Sequence, residues 1–333
     1  MARNKVALKS ALAIALAGGA LLLGGSFAAP RGFDDQQAIR SFVAEMNQRH
    51  GFDASELERL FARARLHQDI LDAIARPAEA KPWFEYRPIF VNGKRIKGGV
   101  TFWNENAQNL GAAAERFGVP AEVMVAIIGV ETRYGRHQGR YPVLDSLSTL
   151  AFAYPPRSKF FRGELEQYLL MAREEKMDPL AQLGSYAGAM GMPQFISSSF
   201  RRYAVDFDGD GRRDLWNSTA DAIGSVGNYF SEHRWQPGQP IALQVKVSGE
   251  RWRQLLKDNK KPRWSPQQLA AHGVALPGDL SANLKGMLIE LETDGEPEYW
   301  VGWDNFYVIT RYNHSNLYAM AVYQLSEAIR QAR

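Results

Sequence analysis

A carboxylate on an apolar helix face is the most informative feature of this 333-residue chain. Helical spacing places Glu131 above Ile128, Ile127 and Met124, at i−3, i−4 and i−7. Partial desolvation and the nearby negative end of the helix dipole both favour the protonated carboxyl, which suits a general acid. The alternative is a solvated Glu131 that closes the helix end and pairs with Arg133 or Arg136. A second constellation lies in Asp206-Phe207-Asp208-Gly209-Asp210-Gly211-Arg212-Arg213-Asp214, with acids at loop positions 1, 3, 5 and 9 and glycine at 6. Such alternation lets oxygens converge on one hard cation, and many flexible oxygen ligands favour calcium over magnesium. Arg212 would add its backbone carbonyl, whereas Asn217 stands at position 12, where a bidentate glutamate is usual. The expected role is structural and outside the chemistry; the alternative is an acidic turn with no ion.

The elements that must position these groups read as mostly helical. Ile39, Phe42, Val43 and Met46 form one stripe and Leu57, Leu60 and Phe61 another, predicting helix through Asp34 to Ala75. Pro77, Pro82 and Pro88 then interrupt the pattern, so Trp83 to Val100 reads as an extended surface connector. Helix resumes over Thr101 to Phe117. The helix of Glu131 starts at Val119-Pro120, where proline loses no amide bond, and stops near Tyr134 at Gly135. More helices follow to His233. Between Pro237 and Ile309 the pattern changes: Ile241 to Val247 alternates as a strand does, and Met287 to Leu291 and Tyr299 to Ile309 read as extended. A final helix covers Leu317 to Ala332.

Composition sets the destination and excludes several classes. Hydrophobic residues at 45% and charged residues at 23% describe an ordinary globular chain, neither disordered nor multispanning. Arg3, Lys5 and Lys9 precede an apolar stretch from Ala11 to Leu23, the pattern of a secretory signal, with cleavage after Ala28 or Ala29. A retained anchor is the alternative, although Gly18, Gly19, Gly24 and Gly25 make the stretch short and weak for a span of ~20 residues. Leu23-Gly24-Gly25-Ser26 differs from a lipoprotein cleavage site in having serine where the lipid-bearing cysteine belongs. The chain has no cysteine at all, so it holds neither that anchor nor a disulfide. The expected location is the periplasm, with outer-membrane association if the native residue at 26 is a lipidated cysteine. Loss of the signal leaves 37 basic against 36 acidic residues with no basic block, which argues against nucleic acid.

Three long segments carry a family resemblance. Ile128-Gly129-Val130-Glu131-Thr132-Arg133-Tyr134-Gly135 resembles the catalytic motif of lytic murein transglycosylases of the B type. Gly184-Ser185-Tyr186-Ala187-Gly188-Ala189-Met190-Gly191-Met192-Pro193-Gln194-Phe195 resembles the second motif, and Arg311-Tyr312-Asn313-His314-Ser315-Asn316-Leu317-Tyr318-Ala319 the third. They occur in the right order, and the resemblance covers essentially the whole mature chain.

The resemblance implies an α+β, predominantly helical fold: a core similar to goose-type lysozyme, a helical domain and a small inserted α+β domain. The expected boundaries are a signal peptide at 1–28, a helical domain and connector at 29–100, the core with its calcium loop at 101–236, the small domain at 237–309, and a segment completing the core at 310–333. It also implies that Glu131 is the catalytic acid and base, that Ser185 and Gln194 line the cleft, and that Tyr229, Tyr312, Asn313 and Tyr318 shape the sugar sites. Calcium is implied at Asp206, Asp208, Asp210 and Arg212, with Asp221 closing the site and no cofactor in the chemistry.

Each of these residues also has a structural reading. Ser185 could terminate a turn, Gln194 could bond locally, Tyr229 and Tyr318 fit core faces, and Asn313 could cap the final helix. The three motifs hold no second acid to pair with Glu131, and neither Asp145 nor Glu164 lies in a recognisable catalytic setting. The resemblance implies a substrate-assisted cleavage of peptidoglycan glycan strands, ending in 1,6-anhydromuramic acid, which needs no second acid. A hydrolytic muramidase and a noncatalytic peptidoglycan-binding protein are the competing functions. Glycan strands are the expected partner of a monomeric protein, with peptidoglycan synthases as candidate protein partners.

Overall fold

The computed structural model describes residues 36–75, 81–257 and 260–333, so the predicted signal peptide and its cleavage site lie outside the described residues. The N-terminal part contains α1 (Gln36–His50), α2 (Ala54–Phe61), α3 (Gln68–Ala75), α4 (Trp83–Phe90), α5 (Gly93–Glu105), α6 (Ala107–Phe117) and α7 (Ala121–Thr132). A two-residue strand β1 (Tyr141–Pro142), α8 (Val143–Ala153), α9 (Ser158–Glu174), a second short strand β2 (Leu183–Gly184), α10 (Ser197–Tyr203) and α11 (Thr219–Glu232) follow. The C-terminal part holds β3 (Ala242–Val245), α12 (Arg253–Leu256), α13 (Pro266–Ala271), β4 (Gly286–Leu291), β5 (Glu298–Trp303), α14 (Asp304–Tyr312) and α15 (Asn316–Ala332). No helix among the described residues is long and apolar enough to cross a membrane.

Two compact units emerge. The described part of the first comprises 81–130, 227–257 and 260–333; that of the second comprises 36–75 and 131–226. In the first, α4 and α5 lie against α15, and α14 also meets α15. The antiparallel sheet of this unit has strand order β3-β5-β4, with Leu243 opposite Val301 and Leu288 opposite Val301 on the other edge. Trp252, Leu255, Leu269, Leu288, Val301 and Trp303 form a separate core beneath that sheet. In the second unit, α8 lies along α9, and Leu147, Leu150, Leu165 and Leu169 are buried. The rings of Phe42, Phe61 and Phe152 meet edge to face at 5.8–6.1 Å, fastening α1 and α2 to α8.

Two sequence expectations fail for identifiable reasons. The stretch from Trp83 to Val100 is helical, not extended, because α4 buries Trp83 and Phe90 despite Pro88 in its interior. Asn92 supports the break between the helices: its side-chain oxygen accepts from the Arg95 amide, starting α5, while its amide donates to the carbonyl of Pro88 at the end of α4. The second half of Tyr299 to Ile309 turns into α14, where Asp304 sits in the first turn and Phe306, Ile309 and Thr310 are buried at helical spacing. Asn305 on the same helix is fully buried and satisfies its amide on Gln236 and Gln239.

Candidate active site

Helix α7 is more deeply buried than an apolar stripe requires. Val123, Met124, Val125, Ala126, Ile127 and Ile128 are each 0% exposed, and Thr132 is too. Buried Arg95 on α5 donates from its guanidinium to the Gly129 carbonyl. Glu131 retains 5% of its surface, so its carboxyl is desolvated and the solvated alternative does not describe it. The helix stops at Thr132, two residues earlier than Gly135 suggests. Arg133, Tyr134 and Gly135 all take left-handed backbone, with φ of 51°, 62° and 81°. For the two non-glycine residues that conformation costs roughly 1–2 kcal/mol each. The Thr132 hydroxyl holds the reversal, accepting from the Gly135 amide at 3.0 Å and donating to the Met192 carbonyl at 2.9 Å.

Ser185 follows β2, whose pairing of Gly184 with Tyr141 fixes where the loop begins. Its Oγ accepts from the amides of Ala187 at 3.3 Å and Ala189 at 3.0 Å. The turn-forming role is therefore real. Because a hydroxyl carries one proton besides its lone pairs, that proton is the group left to donate out of the turn. Ser146, fully buried on α8, donates to the Ser185 carbonyl. Gln194 takes left-handed backbone at φ 53° and spends its amide hydrogens on the carbonyls of Gly191 at 2.9 Å and Gln138 at 3.1 Å. Its carbonyl oxygen is what it can offer a ligand.

The two acids considered as partners for Glu131 are committed elsewhere. Asp145 accepts from the Arg65 amide and from His67 Nε2, both at 3.0 Å, tying the chain before α3 to α8. Glu164 accepts from the Ser198 amide at 2.9 Å and hydroxyl at 2.7 Å. Burial pushes its pKa above the ordinary carboxylate value, and the Ser198 bonds offset only part of that.

In the first unit, Tyr229 on α11 is buried and donates its hydroxyl to the Arg311 carbonyl at 2.7 Å. Its ring lies 4.0 Å from that of His233 and 4.8 Å from that of Tyr312, the last residue of α14. Asn313 closes α14, and Ser315, not Asn313, caps α15 by accepting from the Tyr318 amide. Tyr318 is 2% exposed. Arg311 donates to His314 Nε2 at 3.1 Å, and burial together with that positive charge lowers the imidazole's pKa. Tyr229 and Tyr312 are thus brought together directly, while Glu131, Ser185 and Gln194 belong to the second unit.

The acidic loop also lies in the second unit. Carboxylate oxygens of Asp206, Asp208 and Asp210 come within 4.8 Å of one another. Gly209 and Gly211 take φ of 79° and 90°, curling the loop so that the amides of Gly209, Asp210 and Gly211 donate to Asp206. An all-carboxylate donor set of this kind fits a hard cation such as calcium. Asp221 is not among the three. It is fully buried beneath the loop, and its two oxygens accept from the amides of Phe207 at 2.7 Å and Asp214 at 2.8 Å. Burial raises its pKa, partly opposed by those bonds. Asp214 caps the loop exit through the amides of Trp216 and Asn217, and Ser218 donates to Asp208. Sequence reasoning missed Thr132, Gln138, Ser146 and Ser218. Thr132 alone carried a visible signal, a β-branched hydroxyl beside the proposed acid.

The family described as Transglycosylase SLT domain matches residues 34–327. The membrane-bound lytic murein transglycosylase B of Escherichia coli K12 is 42% identical over 321 residues, covering 93% of this chain and 86% of that protein. The crystal structure of soluble lytic transglycosylase SltB1 from Pseudomonas aeruginosa superposes with a TM-score of 0.85 at 50% identity, covering 89% of this chain and 99% of the other. The Escherichia coli lytic transglycosylase Slt35 in complex with calcium gives 0.82 at 41% identity, covering 92% and 97%.

Proposed function

This chain belongs to the lytic murein transglycosylase B family and is a peptidoglycan lytic transglycosylase, and from that premise we propose that Glu131 is its single catalytic acid and base. The observation that carries the proposal is a desolvated carboxyl at the stop of a buried helix, while Asp145 and Glu164 are held in structural bonds. Glu131 protonates the glycosidic oxygen between N-acetylmuramic acid and N-acetylglucosamine as the C1–O bond breaks. The muramic acetamido oxygen bonds to C1 in its place. The Glu131 carboxylate then takes the proton of the C6 hydroxyl, whose oxygen displaces the acetamide from C1. The product is a 1,6-anhydro ring, the acid is regenerated, and no water is consumed.

In this reading the Ser185 hydroxyl proton and the Gln194 carbonyl address the sugar's acetamido and hydroxyl groups. Tyr312, Asn313, Tyr229 and Tyr318 shape the sugar sites; Tyr229 acts by holding the Arg311 carbonyl, and so the start of the Tyr312-Asn313 segment. Asp206, Asp208, Asp210 and the Arg212 carbonyl hold a structural calcium ion, with Asp221 ordering the loop backbone below it. A bound calcium ion in Slt35 supports that assignment. The small α+β domain at 237–309 is a module with its own core, and the chain is exported to the periplasm by residues 1–28.

Mass spectrometry of sacculi digested by the wild type and by Glu131→Gln tests the chemistry. Anhydromuramic ends from the wild type and none from the variant are expected. Reducing muramic ends in their place, or undiminished cleavage by Glu131→Gln, would sink the mechanism.

A further inference from the structure

We infer that Thr132 is a positioning residue for the reaction: its hydroxyl clamps the left-handed helix stop and thereby sets where the adjacent Glu131 carboxyl lies. The inference rests on the reading of Glu131 as the acid. Two successive non-glycine residues, Arg133 and Tyr134, are held in a backbone conformation that side chains disfavour, immediately after Glu131 and Thr132. Left to itself, such a segment relaxes toward right-handed backbone, and the last helical turn moves with it. Something must hold it.

Thr132 is fully buried and uses its hydroxyl in both directions. It accepts from Gly135, closing the reversal on its inner side, and donates to Met192, closing it onto the second motif. Met192 is anchored in turn, its amide donating to the Leu215 carbonyl at 2.8 Å. A parallel connection runs through Gln138. Its amide donates to the carbonyls of Gly135 at 3.2 Å and Trp216 at 2.9 Å, and its backbone carbonyl receives Gln194. The turn after Glu131, the Gly191–Gln194 turn and the 215–216 segment are thus cross-linked, and Thr132 is the member of that network next to the acid. The link requires one donor and one acceptor on a single oxygen. Serine supplies both and valine neither, although valine matches threonine in shape.

Kinetics on defined muropeptide oligomers test this, with Glu131→Gln measured alongside Thr132→Val and Thr132→Ser. For Thr132→Val, kcat should fall roughly 10- to 100-fold, as expected for displacement of a reacting group by up to about 1 Å, with KM within about 2-fold of wild type. Thr132→Ser should restore kcat to within about 3-fold, since it restores the hydroxyl. Thermal unfolding shows which variants fold, and Thr132→Ala against Thr132→Ser makes the same comparison if valine is not accommodated. Full kcat in the hydroxyl-free variant, equal losses in Ser and Val, or a change confined to KM would each overturn the inference while an inactive Glu131→Gln leaves the acid assignment standing. Activity of Glu131→Gln would remove both.

Discussion

Gly139 lies at a backbone crossing where no side chain fits, and adding one methyl group there should damage both stability and turnover. A Cβ on Gly139 would stand 2.0 Å from the carbonyl carbon and oxygen of Gly184 and 2.5 Å from the Ser185 amide nitrogen. Real Cβ contacts essentially never fall below 3.0 Å, and here the obstacle is backbone, so the two segments must part by about 1 Å. Gly139 also has φ +104°, where an L-residue costs about 1–3 kcal/mol. Overpacking adds a further 1–3 kcal/mol, giving a total of roughly 2–6 kcal/mol. At about 2 °C per kcal/mol, the low end of the range for chains somewhat smaller than this one, Gly139→Ala should lower Tm by roughly 4–12 °C. The displaced segment opens into Ser185, so turnover below the transition should fall about 10²-fold, the penalty of a misplacement near 1 Å. The control is Gly163→Ala on α9, where a Cβ meets nothing within 4 Å. That change should stabilise by about 0.5–1 kcal/mol and leave turnover alone. Circular dichroism melts and muropeptide release from sacculi measure both. Wild-type Tm and turnover for Gly139→Ala would refute the reasoning, because the Gly184–Ser185 backbone would then have to be free to move.

Two further outcomes are expected. Burial raises the Glu164 pKa above its unfolded value of 4.5, so its contribution to stability is complete below that value and is lost as pH rises through the folded pKa. Glu164→Gln cannot ionise, so its Tm relative to wild type should climb from about pH 4 to about pH 8; a difference that stays flat across the series rules the linkage out. Calcium added to metal-free protein should raise Tm, with about 2.7 kcal/mol of stabilisation at 100 times the dissociation constant. Asp208→Asn combined with Asp210→Asn should abolish that shift while leaving turnover at 25 °C intact. Equal calcium shifts in the variant and wild type would place the ion elsewhere.

How far the sequence could be read depended on the range of the interactions involved. The helix of Glu131 was legible because apolar spacing is local, although that spacing left a solvated carboxyl open; so were the three strands near 242–303, each long enough to show its pattern. The acidic loop was legible for the same reason, since Asp206, Asp208 and Asp210 converge through turn geometry that the intervening glycines permit. Asp221 shows the limit of that reading. The resemblance implied Asp221 as a closing ligand, but no local spacing shows that its oxygens accept from the amides of Phe207 and Asp214, contacts that depend on how α11 passes under the loop.

Longer-range determinants left weaker traces. Strands β1 and β2 are two residues each and exist only because Tyr141 finds Gly184 across α8 and α9; the sequence of either alone contains no alternation to detect. Helix α4 carries proline and aromatics that speak for an extended chain, and it is the burial of Trp83 and Phe90 that overrides them. The most consequential omission was the stop of α7. Gly135 marked it approximately, but Arg133 and Tyr134 are left-handed beside a Thr132 hydroxyl that bonds Met192, a partner 60 residues away. A local rule could place the acid on its helix. Where that helix ends, and hence where the carboxyl points, is decided by the second motif folding against the first.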